Sequence, residues 1–257
     1  MKKPQGFTLI ELLVVIAVIA LLMSILLPSL SRAREQAKKI VCSAHTKGLG
    51  VALLMYADDY DRKTHRSPNR GMWDNAYQNP STVTPFGPNH DFAYWGVAYL
   101  PYASSKKIFR CPGTRRPDDW PEEGWGIAYQ EYFKYCSYGI NGYVTWNSSE
   151  NRNIKIDHDF KKHDEVIVFQ DHIEQKLDGI GSDMFCIGPG NSINLTQWRP
   201  GSSLYEGYWR GYDTVGECFR HVKTSGTCWL DGHVSAIKES TGEDVPTSWY
   251  TGVQGAQ

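Results

Sequence analysis

Apolar residues crowd the start of the chain and then thin into a spaced pattern. From Phe7 to Leu30 a run of 24 residues is interrupted only by Thr8, Glu11, Ser24, Pro28 and Ser29. At about 1.5 Å per residue a helix of that length spans roughly 36 Å, enough to cross the hydrocarbon core of a bilayer. From Ser31 the pattern becomes amphipathic. Ala33, Ala37, Ile40, Val41, Ala44, Gly48, Val51, Ala52 and Met55 recur at intervals of three and four. We read one long helix from about Thr8 to about Asp58, with this stripe laid against a C-terminal domain. Asp58, Asp59 and Asp61 are poor company for a helix C-terminus, so the helix stops there. Pro28 removes one backbone hydrogen bond and predicts a kink where the chain leaves the bilayer.

Beyond the helix the periodicity shortens. Residues 62–92 are rich in Pro, Asn and Gly and read as loop, as do residues 113–131. Phe92 to Leu100 predicts a short helix and Lys107 to Pro112 a short strand. Tyr135 to Ile140 and Tyr143 to Trp146 predict two strands around an Asn141-Gly142 turn. Val166 to Phe169 is the clearest strand, ended by Gln170-Asp171. Gly216 to Val222 and Thr227 to Leu230 predict a hairpin across Lys223 to Gly226, and Asp231-Gly232 turns the chain into a strand from His233 to Lys238. The tail from Glu239 is polar and reads as frayed. The fold class is α+β: a long N-terminal transmembrane and amphipathic helix packed on a C-terminal antiparallel sheet, a meander. The domains are a leader at 1–6, a transmembrane segment at 7–30, an amphipathic continuation at 31–60 and an extracytoplasmic globular β-rich domain at 61–257.

Charge changes the picture at one place. Glu11 sits alone in the apolar run, where an unpaired ionised side chain costs on the order of 2–3 kcal/mol or more. Such a residue asks for a counter-ion, and a positive charge on a neighbouring copy of the same chain supplies one. Lys2 and Lys3 fit a cytoplasmic leader, although Arg32, Arg34, Lys38 and Lys39 lie beyond the other end. A cleaved secretory signal would have a shorter apolar stretch with its small residue after it, whereas Gly6 lies before this one. The stretch GFTLIELLVVIAVIALL resembles the leader of type IV pilins and pseudopilins. The resemblance implies that a membrane prepilin peptidase cuts between Gly6 and Phe7 and methylates Phe7. It also implies that Glu11 of an incoming subunit pairs with the Phe7 ammonium of its neighbour and sets the register of assembly. The filament core would then be the same helix that first anchors the subunit.

The globular part carries further resemblances to pseudopilin-like proteins. They are Cys42 before Lys47-Gly-Leu-Gly50, Met55 to Tyr60, Phe109-Arg-Cys-Pro112 and Ser137 to Gly142. His221, nine residues and Asp231-Gly232 are similar to that group's C-terminal signature. His221 and Asp231 are expected on adjacent strands, pinning the hairpin. A metal site with His233 is the alternative. No nucleophile with a positioned base is identifiable, so the chain reads as a structural subunit and not an enzyme.

Six cysteines, Cys42, Cys111, Cys136, Cys186, Cys218 and Cys228, suggest disulfides in an exported chain. Cys42 with Cys111 would tie the helix to the loop after it, and Cys218 with Cys228 would bridge the hairpin. Free thiols remain open, and zinc is the weaker reading because no C-x-x-C pair occurs. No cofactor is expected, with calcium at Asp157, Asp159 and Asp171 as a weak candidate. Net charge −1 and a pI near 6.7 leave no basic field for nucleic acid. The expected partners are other copies or related subunits, the peptidase, an inner-membrane assembly platform, and lipid before assembly. The expected location is a bacterial inner membrane crossed once, the domain periplasmic or extracellular, and a filament afterwards. Rival readings are a membrane-anchored carbohydrate-binding or hydrolytic protein and a minor tip pilin that binds a surface ligand.

Overall fold

The computed structural model describes residues 8–65, 95–114, 137–147, 150, 152–172, 184–185, 211, 213–240, 245–246 and 248–252. The chain divides into two compact units between Ala37 and Lys38. Helix α1, Leu9–Asp59, is continuous through Pro28. In the first unit every side chain from Thr8 to Arg34 is exposed, aliphatics included. Among the described residues this is the one helix long and apolar enough to cross a membrane. Two hydroxyls in the apolar run are satisfied by the helix itself, Ser24 Oγ donating to the Leu21 carbonyl at 2.7 Å and Ser29 Oγ to the Leu26 carbonyl at 2.8 Å.

The second unit begins with the last turns of α1. The buried face there is Cys42, Thr46, Leu49, Gly50, Leu53, Tyr56 and Ala57, with Ala52 beside it. That is a clean three–four repeat, but it is not the stripe read from the sequence. Of those positions only Ala52 is buried, while Ile40, Val41, Val51 and Met55 are exposed. The physical reason is that Cys42, Thr46 and Tyr56 carry polar atoms that find partners inside, so polarity mislabelled the inner face. Thr46 Oγ1 donates to the Cys42 carbonyl at 2.8 Å. The helix ends where Asp61 and Arg62 take left-handed backbone conformations, with Arg62 N–H on the Ala57 carbonyl at 2.7 Å.

Next come a short helix α2, Trp95–Tyr99, and single 3-10 turns at Leu100–Tyr102 and Lys106–Phe109. The second turn replaces the strand expected at 107–112, because Ser105 accepts from Lys107 N–H and caps it. Strand β1 is Tyr138–Asn141, β2 Trp146–Asn147 and β3 Arg152–Asn153. Helix α3 is Ile156–Asp159, β4 Ile167–Asp171 and β5 Met184–Phe185. Helix α4 is Thr214–Cys218, β6 Thr224–Trp229, β7 Val234–Lys238 and α5 Ser248–Thr251.

The main sheet runs β5-β1-β4-β6-β7. Four strands are antiparallel, and the two-residue β5 joins β1 in parallel. A separate pair, β2 with β3, is antiparallel. The α+β layout of a long N-terminal helix and an antiparallel sheet is therefore present, but the order is not a simple meander.

Three further local expectations fail for identifiable reasons. Asn141-Gly142 is not a hairpin turn. The Asn141 side chain is buried, donates to the carbonyls of Ile167 and Tyr250 at 2.8 and 2.7 Å, and caps a 3-10 turn at Gly142–Val144. Gly216 to Val222 is not a strand either. Asp213 caps α4 through Gly216 N–H, and the chain then turns through left-handed Val222 and Lys223. The hairpin is β6–β7, with Cys228 opposite Val234. The tail does not fray throughout, since Val245 and Tyr250 are buried and Tyr250 OH donates to Gln170 Oε1 at 2.9 Å.

The core falls into two clusters. Leu49, Leu53, Trp95, Tyr99, Phe109, Ile140, Phe169 and Cys228 belong to the larger one, with α1. Ile167, Cys218, Phe219, Trp229, Val245 and Tyr250 form the smaller. Successive residues Cys228 and Trp229 belong to different clusters, as the period of two in a strand requires.

Candidate functional site

The N-terminal site starts from one charged residue among aliphatics. Glu11 Oε2 accepts from both Thr8 N–H and Thr8 Oγ1 at 2.8 Å, and Glu11 N–H donates back to Thr8 Oγ1 at 3.3 Å. Thr8-Leu9-Ile10-Glu11 is thus a reciprocal capping box that satisfies orphan donors at the helix start. Sequence reasoning missed it, although its signal, Thr-x-x-Glu before an apolar run, is visible in the chain. Gly6 and Phe7 lie outside the described residues. Glu11 is exposed, at the end of an exposed apolar surface.

The C-terminal signature residues do not meet. His221 lies before β6 and is buried. Its Nε2 is 3.1 Å from Cys111 Sγ and 3.6 Å from Asp171 Oδ2. Asp231 lies after β6, in the β6–β7 turn, where its Oδ1 accepts from His233 N–H at 3.0 Å and sits 2.7 Å from His233 Nδ1. The six-residue strand between them separates the two by roughly 17–20 Å. Gly232 has φ +85°, and a Cβ there would stand 3.3 Å from Leu54 Cδ1. On α1, a Cβ at Gly50 would meet Cys228 Sγ at 2.5 Å. The signature therefore touches the helix at two levels, at Cys42–Cys111 through His221 and at Leu54 through Gly232. Those levels are about 18 Å apart along α1 at its ordinary rise, which matches the strand.

Around His221 is a buried charge network that sequence reasoning also missed. Arg220 is fully buried. It donates to Asp171 Oδ1 at 3.1 Å, Glu217 Oε1 at 2.8 Å, the Ser137 carbonyl at 2.6 Å, the His172 carbonyl at 3.2 Å and Thr114 Oγ1 at 3.1 Å. Asp171 Oδ2 accepts from Gly226 N–H at 2.7 Å. Burial alone would lower the Arg220 pKa, yet Asp171 and Glu217 hold it above its ordinary value. An arginine inside the apolar run Cys218-Phe219-Arg220-His221-Val222 was the available signal.

The cysteines divide. Cys42 and Cys111 form a disulfide across 69 residues of sequence, with Cα atoms 5.2 Å apart. Cys218 and Cys228 are free and buried, so the bridge expected between them is absent. They belong to different core clusters, and the hairpin they were expected to flank does not exist. Burial pushes both thiols up to about 12. Cys136 and Cys186 lie outside the described residues. The calcium candidates each face an arginine. Asp157 accepts from Arg62 at 2.9 Å, Asp159 from Arg152 at 2.6 Å, and Asp171 lies in the buried network around Arg220.

Comparison with known proteins bears on the first of these sites. The family model for the prokaryotic N-terminal methylation motif matches residues 1–27. The type IV wide pilus major component PilA4 of Thermus thermophilus is 51% identical over 64 residues, 25% of this chain and 49% of that protein. Competence protein ComGC of Halalkalibacterium halodurans is 38% identical over 66 residues, 24% of this chain and 65% of that protein. The type II secretion system core protein G of Pseudomonas aeruginosa is 26% identical over 118 residues, 46% of this chain and 81% of that protein. The chain thus spans less than two thirds of the length of the first two relatives. No solved structure gives a significant match.

Proposed function

We propose that this chain is a structural subunit of a type IV pilus or type II secretion-like filament. The N-terminal methylation motif, a plain finding over residues 1–27, carries the proposal. In this reading a prepilin peptidase cuts between Gly6 and Phe7 and methylates the new terminus. The subunit waits in the inner membrane with its domain outside, and an assembly platform moves it into the filament. While it waits, the capping box gives Glu11 three hydrogen bonds within its own chain. On assembly the carboxylate takes the Phe7 ammonium of a neighbour as well, and a charge pair in low dielectric is tolerable where either charge alone is costly. The aliphatic surface exposed from Leu9 to Leu30 meets first lipid and then the same surface of other copies.

One observation beyond the motif favours assembly over a plain anchor. Outside the apolar run, Ile40, Val51 and Met55 are exposed on the part of α1 that belongs to the globular unit. A membrane anchor has no use for apolar side chains there, whereas a helix packed among sister helices does. Mass spectrometry of protein purified from cells with the processing machinery tests the reading. The expected mass is that of a chain beginning at Phe7 and one methyl group heavier, with an uncut precursor from Gly6→Asp. A wild-type chain that keeps its first six residues overturns it.

A further inference from the structure

The signature histidine sits against a disulfide, and all three side chains involved are of types that ligate soft metal ions. One ligand atom each from Cys42, Cys111 and His221 lies within 4.8 Å of the others, and all three residues are buried. Two elements far apart in sequence and α1 itself bring them together. The close approach of the ring is prepared by the Cys111-Pro112-Gly113 turn. A Cβ on Gly113 would stand 2.6 Å from His221 Cε1 and 3.3 Å from Cys111 Sγ, so this position requires glycine for space. Gly113 N–H already points at Cys111 Sγ, at 3.2 Å.

We propose that the reduced chain holds a soft divalent cation of the zinc class at Cys42, Cys111 and His221, and that this site and the disulfide are mutually exclusive fastenings of the same point. Two thiolates and an imidazole are a donor set that selects zinc over calcium or magnesium. A tetrahedral zinc ion with sulfur at about 2.3 Å and nitrogen at about 2.0 Å sets its ligand atoms roughly 3.5–3.8 Å apart. Cys111 Sγ and His221 Nε2, at 3.1 Å, need to part by a few tenths of an ångström. Asp171 Oδ2, 3.6 Å from the same nitrogen, lies on the metal side of the ring, where a carboxylate oxygen can supply a fourth ligand.

The chemistry balances. A phosphine gives the disulfide two electrons and leaves as the phosphine oxide, one water supplying the oxide oxygen and the two protons that complete the thiols; a dithiol gives the same two electrons and two protons and leaves as its own disulfide. The cation then displaces one proton from each thiol, so binding weakens as pH falls. Either fastening ties α1 to the segment after it, one under oxidising and the other under reducing conditions.

The test uses the full chain in detergent micelles, reduced with a phosphine under nitrogen and titrated with cobalt(II). The expected result is one cobalt per chain, with a sulfur-to-cobalt charge-transfer band and the visible bands of a tetrahedral ion, all lost on adding zinc. The unreduced chain gives no bands. Cys42→Ser and His221→Gln abolish them, while Cys136→Ser with Cys186→Ser, and Cys218→Ala, retain them. Zinc also shields Cys42 and Cys111 from alkylation in the wild type, read by peptide mass, which needs no variant to fold. Absence of bands in the reduced wild type, their persistence in Cys42→Ser or in folded His221→Gln, or equal alkylation with and without zinc overturns the proposal.

Discussion

The two units of this chain break the usual rule of burial in opposite directions. From Leu9 to Leu30 the large aliphatics are all on the outside. In the second unit an arginine and an aspartate are fully buried. Each inversion shows where the partner is. The buried charges find theirs in the same chain, through six hydrogen bonds from Arg220 to side-chain and carbonyl oxygens. The exposed aliphatics have none among the described residues and call for lipid or another copy. Glu11 belongs to both cases, since Thr8 satisfies it locally but leaves it at the outer surface.

Variants that break one side of this contrast should leave the other intact. Glu11→Ala carries the largest effect. The chain still inserts in the membrane, but incorporation into filaments is lost, read by shearing and immunoblotting; normal incorporation would count against the charge pair. Arg220→Met leaves Asp171 and Glu217 without their cation. Unfolding free energy should fall by about 3–5 kcal/mol in urea titrations, with membrane insertion unchanged. Gly50→Ala presses a methyl group onto Cys228 Sγ and costs on the order of 1–3 kcal/mol. Adding Cys228→Ala should restore most of that, and a cost that persists unchanged would refute the contact. The smallest effect is an acid one. Arg152 beside Asp159 holds its carboxyl well below the usual range, and Arg62 lowers that of Asp157. Folded carboxyls with depressed pKa values bind fewer protons than unfolded ones. Their contribution is present above about pH 4 and is lost as pH falls below it. Asp159→Asn should flatten the acid side of the stability curve by about 1 kcal/mol, since the Arg152 side chain that pairs with it stands partly in solvent.

What could be read in advance depends on the range of the interaction. The apolar run, the lone Glu11 and the helix end at Asp59 depend on near neighbours, and the pattern displayed them. The inner face of the second half of α1 did not show, because Thr46 is buried with its hydroxyl on the Cys42 carbonyl one turn back and Tyr56 with its hydroxyl beside His65 Nδ1, while Val51 and Met55 are left outside. Gln170 and Asp171 looked like the end of a strand but continue it, since Tyr250, Thr227 and Arg220 satisfy them from distant parts of the sequence. The strand order had the same fault, with β1 beside β4 rather than beside its nearest neighbour in the chain. The signature His221 and Asp231 were legible as a spacing, but not as the two ends of a strand laid along a helix.

The close meeting of Gly50 with Cys228, and of Gly232 with Leu54, bears on orientation as much as on packing. Two bare backbone positions let α1 and the hairpin approach until neither can turn against the other. Rotating this stretch of helix about its own axis would drive a bulky neighbour into the strand. Ile40, Val51 and Met55 are therefore held at a set azimuth on the domain, and a sister molecule approaching them is offered one bearing rather than a choice.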